Sequence, residues 1–99
     1  MNNEYMQERL ERAARCLKVL AHPIRLRIIH LLGEGELSVQ ELERAMGISQ
    51  SSVSQHLSLL RDKEILESRR AAQQVFYRLR DPRLLQLTAI TRELFCRME

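Results

Sequence analysis

The chain has 99 residues with a formal charge of +3, 44% hydrophobic and 4% aromatic residues, a balance that suits one small, mainly helical domain and not a disordered chain. No apolar run approaches the roughly 20 residues that cross a bilayer, and the opening MNNEYMQERLERAARC lacks the apolar centre of a secretory signal. A cytoplasmic protein with no membrane partner is expected, its Cys16 and Cys96 being free thiols.

Met6, Leu10, Ala13, Leu17 and Leu20 recur at intervals of four and three, which predicts an amphipathic helix over about 4–21. His22-Pro23 breaks it. Pro23 fits the first turn of a second helix, where its missing N–H is harmless. Leu26, Ile28, Ile29, Leu31 and Leu32 make that helix apolar on more than one side, so it is expected to be the most buried, with His30 as a satisfied core histidine. Gly33 and Gly35 in GEGE end it. Ser38 then caps a third helix, Glu41 completes a capping box, and Val39, Leu42 and Met46 face inward.

The stretch GISQSSVSQHLSLLR, residues 47–61, opens on Gly47 as a turn, Ile48 as its plug and Ser49 as the N-cap of a fourth helix reaching about Lys63. Val53, Leu57 and Leu60 share one side. At about 100° per residue, Ser51, Gln55 and Ser58 fall opposite, with Ser52 and Ser54 on the flanks. A solvated face would normally carry Glu, Lys and Arg, which form helices better than serine does. Short neutral donors and acceptors suit close approach to a DNA groove, where Gln and Ser meet base edges and phosphates. Two short helices joined by a tight turn, the second polar outward, form a helix-turn-helix over about 38–63.

ILESRR and QQVFYRL follow as two strands joined around Ala71-Ala72, a wing over about 65–79 with Val75 and Tyr77 on one face and Phe76 on the other. Charge is unevenly spread. Residues 31–48 carry Glu34, Glu36, Glu41 and Glu43 against Arg44, whereas 61–83 carry Arg61, Lys63, Arg69, Arg70, Arg78, Arg80 and Arg83 against Asp62, Glu64, Glu67 and Asp81. The positive field thus lies beside and after the fourth helix, as a phosphate-binding surface requires. The predicted DNA-binding set is Gln50, Ser51, Ser52, Ser54, Gln55, His56 and Arg61, with Arg69, Arg70 and Gln73 as positioning contacts from the wing. His56 lies nearer the inward side of the wheel and is read both as a base contact and as a structural histidine.

Asp81-Pro82 starts a last helix over about 81–98, with Leu84, Leu87, Ile90, Leu94 and Met98 as its stripe. The fold is therefore mainly α with a small β-hairpin: a single winged helix-turn-helix domain over 1–99, four helices, two strands and a final helix in that order. The first and last helices carry more apolar surface than one chain needs, which predicts a homodimer through Met6, Leu10, Ala13, Leu17, Leu84, Leu87, Ile90 and Leu94. Two recognition helices would then reach half-sites roughly 34–36 Å apart on a palindromic double-stranded operator.

LAHPIRLRIIHLL, ELSVQELERAMGISQSSVSQHLSLLR and VFYRL, in this order and spacing, resemble the ArsR/SmtB family of dimeric winged-helix repressors over nearly the whole chain. The resemblance implies a repressor with the first and fifth helices at the dimer interface, the fourth in the major groove and an inducer that releases DNA. Ligands for the family's metals are incomplete: LSVQEL carries no thiolate where arsenic sensors have a cysteine pair, and Asp81 and Glu93 lack the histidines of a zinc-type site. No metal site and no cofactor is assigned.

GEGELSVQELE, QQVFYRL and LFCRME are similar to the BigR/YgaV/HlyU subgroup, which senses persulfides or oxidants through two cysteines. Cys96 matches the second of these; His30 stands at the position of the first. The resemblance thus implies Cys96 as the reactive thiol, with Cys16 in the first helix as substitute partner and reactive sulfur or an oxidant as inducer. Neither Cys96 nor His30 lies in a Gly-rich or oxyanion-forming context, so no enzyme is expected. Two alternatives stand beside this reading: a metal-responsive repressor with a non-standard site, and a winged-helix protein-interaction module.

Overall fold

The structure is a computed structural model that describes residues 3–96. Helix α1 (Asn3–Leu20) ends at the predicted break, and α2 (Pro23–Leu31) begins on Pro23 with His22 as its N-cap. The His22 Nδ1 accepts the Ile24 N–H at 3.1 Å, satisfying one of the donors that a helix start leaves open. A short 3₁₀ turn over Leu32–Glu34 follows, and Gly35 at φ 136° provides the backbone turn that a side chain would resist. Gly33 serves differently: a Cβ there would lie 2.7 Å from the methyls of the Leu85 side chain, which would have to move aside.

Ser38 closes strand β1 (Leu37–Ser38) and caps α3 (Val39–Met46) through the predicted reciprocal box with Glu41. Gly47, at φ 68°, donates its N–H to the Glu43 carbonyl and ends α3. Helix α4 (Gln50–Asp62) starts on the Ser49 cap. It stops in a Schellman arrangement: Glu64, at φ 61°, donates to the Arg61 carbonyl and Ile65 to the Leu60 carbonyl. The chain then enters β2 (Leu66–Ala71), turns, and returns as β3 (Gln74–Leu79). Helix α5 (Arg83–Phe95) completes the order.

Four sequence expectations are corrected here. The sheet has three antiparallel strands in the order β1-β3-β2, because Leu37 pairs with Tyr77 and Ser38 with Phe76, adding a strand to the predicted hairpin. The wing turns at Ala72 and Gln73, not at Ala71-Ala72; both have positive φ, 49° and 68°, the pattern of a two-residue hairpin turn. Helix α2 buries Ile28 and Ile29 completely but leaves Leu26 and His30 exposed, so His30 is no core histidine and α4, with three fully buried residues, is the more deeply set. Helix α5 begins at Arg83 rather than at Asp81 or Pro82, although Asp81 does accept the Arg83 N–H at 2.9 Å.

The core gathers Leu20, Ile28, Ile29, Leu32, Leu42, Met46, Val53, Leu57, Leu60, Ile65, Leu66 and Tyr77, drawn from every element except α5 and β1. Val39 and Ile48 pack against it as predicted, and so does Val75. Helix α5 packs on α2, and within the chain it makes no comparable contact with α1. Met6, Leu10, Leu17, Leu87, Ile90 and Leu94 are left uncovered, with Tyr5 and Phe95 beside them. Leu84 is half-buried against the core, and Met98 lies outside the described residues.

Candidate nucleic-acid interface

Helices α3 and α4 pack together across the Gly47 turn, and α4 is fixed from beneath by Val53, Leu57 and Leu60, none of which retains solvent exposure. Its outer face follows from that anchoring. Gln50, Ser51 and Gln55 are exposed, while Ser52, Ser54 and Ser58 are half-exposed on the flanks. Ser49 and Ser51 hydroxyls lie 3.4 Å apart at the N-terminal end, so the exposed start of α4 is a row of short donors and acceptors with no charged side chain before Arg61. That geometry can enter a groove and exchange hydrogen bonds with base edges and phosphates.

His56 does not share that outer face. Its Nδ1 accepts from Arg25 Nε at 3.2 Å, and its ring lies 4.7 Å from that of His22. Burial, then His22 and Arg25, push its pKa below the ordinary histidine value. His56 therefore stands as a packed neutral imidazole between α4 and the start of α2. The sequence wheel placed it inward; its partners, separated by some thirty residues of chain, could not be read there.

The wing arginines divide into two kinds. Arg69 grips Glu36 with two hydrogen bonds, 2.8 and 2.6 Å, and its guanidinium lies 4.7 Å from the centre of the Phe76 ring. This pairing holds the Glu36 carboxyl below its usual range. Arg70, one residue further toward the turn, has no ion-pair partner among the described residues, and Gln73 is exposed on the turn itself. Arg61 makes a loose 3.5 Å contact with the adjacent Asp62 on the surface. Arg78 and Arg80 are paired with Glu67 and Glu64, so much of the positive charge counted in this segment is already neutralised. Arg70→Ala is accordingly expected to weaken cognate and scrambled duplexes alike and to flatten the salt dependence by about one contact. Arg69→Ala should do less, because a phosphate must displace Glu36 to reach it. Fluorescence anisotropy across a salt series checks both, and an equal response would place Arg69 off Glu36 in the complex.

The two thiols are exposed and lie in different places. Cys16 belongs to a surface cleft formed by α1 alone, beside Arg12 and Ala13. Cys96 closes a cavity of about 320 Å³ between α2 and α5, shared with Leu26, His30, Thr88 and Arg92. Thus the structure brings Cys96 and His30 to one cavity and leaves Cys16 outside it. Among the described residues no three His, Cys, Asp or Glu side chains converge as a metal site. The Asp81 carboxylate is instead taken by Arg83, whose hydrogen bonds lower its pKa to about 2. Nor is any described helix long and apolar enough to cross a membrane.

The family model for the bacterial regulatory protein, arsR family, matches residues 22–68, from the α2 cap to β2. The biofilm growth-associated repressor of Xylella fastidiosa is 43% identical over all of this chain and 87% of its own length. The chain belongs to the arsR family. It is a DNA-binding transcriptional regulator and not an enzyme. Among solved structures of the family, the transcriptional repressor BigR from Xylella fastidiosa superposes with a TM-score of 0.83 at 43% identity, covering 99% of this chain and 100% of the other. Reduced HlyU from Vibrio cholerae gives 0.81 at 35% identity, covering 95% and 99%.

Proposed function

We propose that this regulator is a repressor that binds a palindromic operator as a homodimer joined through α1 and α5, and that modification of Cys96 by reactive sulfur or an oxidant releases it. The exposed polar start of α4, held out by a fully buried apolar triad beside a hairpin whose Arg70 has no ion-pair partner among the described residues, is the observation that carries the DNA reading. The dimer reading is supported by Leu10, Leu17, Ile90 and Leu94, each more than half exposed, on two helices that do not cover one another within the chain. Cys96 caps the C-terminus of α5 and Cys16 lies on α1. Because the thiols occupy separate clefts of one chain, a link between them is proposed across subunits, where the two apolar faces would meet. Such a tie would alter the spacing of the recognition helices.

Wild-type protein, Cys16→Ser and Cys96→Ser should be treated with polysulfide or hydrogen peroxide and followed by intact-protein and peptide mass spectrometry beside binding to a duplex selected from a randomised library. Sedimentation of the untreated protein as a dimer is expected. So are a Cys16-to-Cys96 link in the wild type alone and loss of its DNA binding. Monomer at micromolar concentration would remove the α1 and α5 interface, and unchanged binding in all three proteins would remove thiol control.

A further inference from the structure

Arg25, His22 and His56 form a cluster beneath α4 that contact with a groove does not require. The Arg25 guanidinium is fixed from two sides: Nη1 donates to the Val19 carbonyl at the end of α1, 2.9 Å away, and Nε donates to His56 Nδ1 at 3.2 Å. A guanidinium has donors only. The His56 nitrogen that faces it must therefore offer a lone pair, which an imidazolium does not have. His22 lies against the same ring, with centroids 4.7 Å apart and planes at 52°, and it is tied in place because its own Nδ1 caps α2 through Ile24.

We propose that the Arg25–His56 hydrogen bond is a positioning clamp for the recognition helix that holds only while His56 is neutral, so that acid loosens α4 from its seat and selectively lowers sequence-specific DNA binding. The inference rests on the family's DNA-binding function and adds to it a proton-sensitive contact behind the reading face. A proton on Nδ1 sets two donors face to face and places a second positive charge against Arg25. The groups that act on His56 are Arg25 from α2 and His22 from the junction of α1 and α2; among the described residues no carboxylate acts on it, so the added charge finds no counterion. Desolvation opposes the charge further, and the three effects together lower the pKa of the folded state.

The unfolded chain takes up this proton near pH 6.5, roughly the free histidine value, while the folded chain resists it to lower pH. The clamp's contribution to folding stability is complete above that value and is lost as pH falls through it toward the folded pKa, where the native state itself takes up the proton and the Arg25–His56 hydrogen bond breaks. His56 is adjacent in sequence to Gln55 on α4, so a shift of its anchoring moves the exposed polar side chains relative to the groove.

The test compares wild type, His56→Asn and His56→Ala on a duplex selected by the wild-type protein and on its scrambled version. The readout is the ratio of the two affinities, because added protein charge raises attraction to both duplexes. As pH falls from about 7.5 to about 5, the wild-type ratio is expected to fall severalfold, with the fall lying below the free histidine value of about 6.5. His56→Asn, whose amide oxygen still accepts from Arg25 but cannot be charged in this range, should keep the ratio at the upper pH and hold it nearly flat. His56→Ala should be low throughout. Thermal unfolding without DNA, measured on the same proteins, should show the wild-type midpoint dropping with acid and the Asn variant losing most of that drop. A flat wild-type ratio, an Asn variant that follows the wild-type curve, or an Ala variant with an undiminished ratio would each overturn the proposal.

Discussion

Leu57→Ala is expected to remove about 2–5 kcal/mol of unfolding free energy, a large share of the roughly 5–15 kcal/mol that holds a domain of this kind together. Leu57 is completely buried between the fully buried Val53 and Leu60 positions of the same helix, and the core around it draws on α2, α3 and the sheet. Truncation there leaves a cavity under the recognition helix that its neighbours, themselves closely packed, can close only in part. Urea denaturation measures the loss directly. A decrease confined to a few tenths of a kcal/mol would mean that α4 can settle inward, and the rigid seat described for its polar face would have to be abandoned.

Gln55→Ala should do the reverse. Its side chain is exposed on the outer face and makes no hydrogen bond or ion pair among the described residues, so the unfolding transition should be unmoved. Binding to a selected duplex should weaken by about 1–3 kcal/mol, the usual worth of a side chain that reads a base edge, while binding to scrambled DNA stays nearly the same. Competition titrations with the two duplexes separate these quantities. Equal weakening on both would make Gln55 a phosphate contact, and loss of stability would show that it packs.

Where the fold was legible, a local chemical reason acted over a few residues. Pro23 after His22, the Ser38 and Glu41 box, Gly47 and Ser49 each left a spacing that admits few structures, and each stands where it was read. What escaped depends on partners distant in sequence or on termini without the usual residue. Strand β1 is two residues long, too short for alternation to register, and exists because Tyr77 and Phe76 lie beside it. The end of α4 is a Schellman turn with glutamate where glycine is customary, and the wing turn puts alanine and glutamine at positive φ. Counting charges along the chain located the basic segment but could not tell that Glu36, over thirty residues away, already holds Arg69. His30 is expected in the core because its helix is apolar on more than one side; the sequence does not reveal that it lies exposed beside a cavity between α2 and α5 that it shares with Cys96.

The division of α4 into a fully buried apolar side and an exposed polar side also bears on how such a regulator can change over generations. Substitutions at Ser51 or Gln55 touch no core contact, so most of them should lie within the few tenths of a kcal/mol typical of surface positions. Replacements on that face can thus be made without first adding stabilising changes elsewhere, whereas truncation of Val53, Leu57 or Leu60 carries the penalty of a cavity. The outer face of α4 can therefore be rewritten by a handful of serine and glutamine replacements with the scaffold intact throughout.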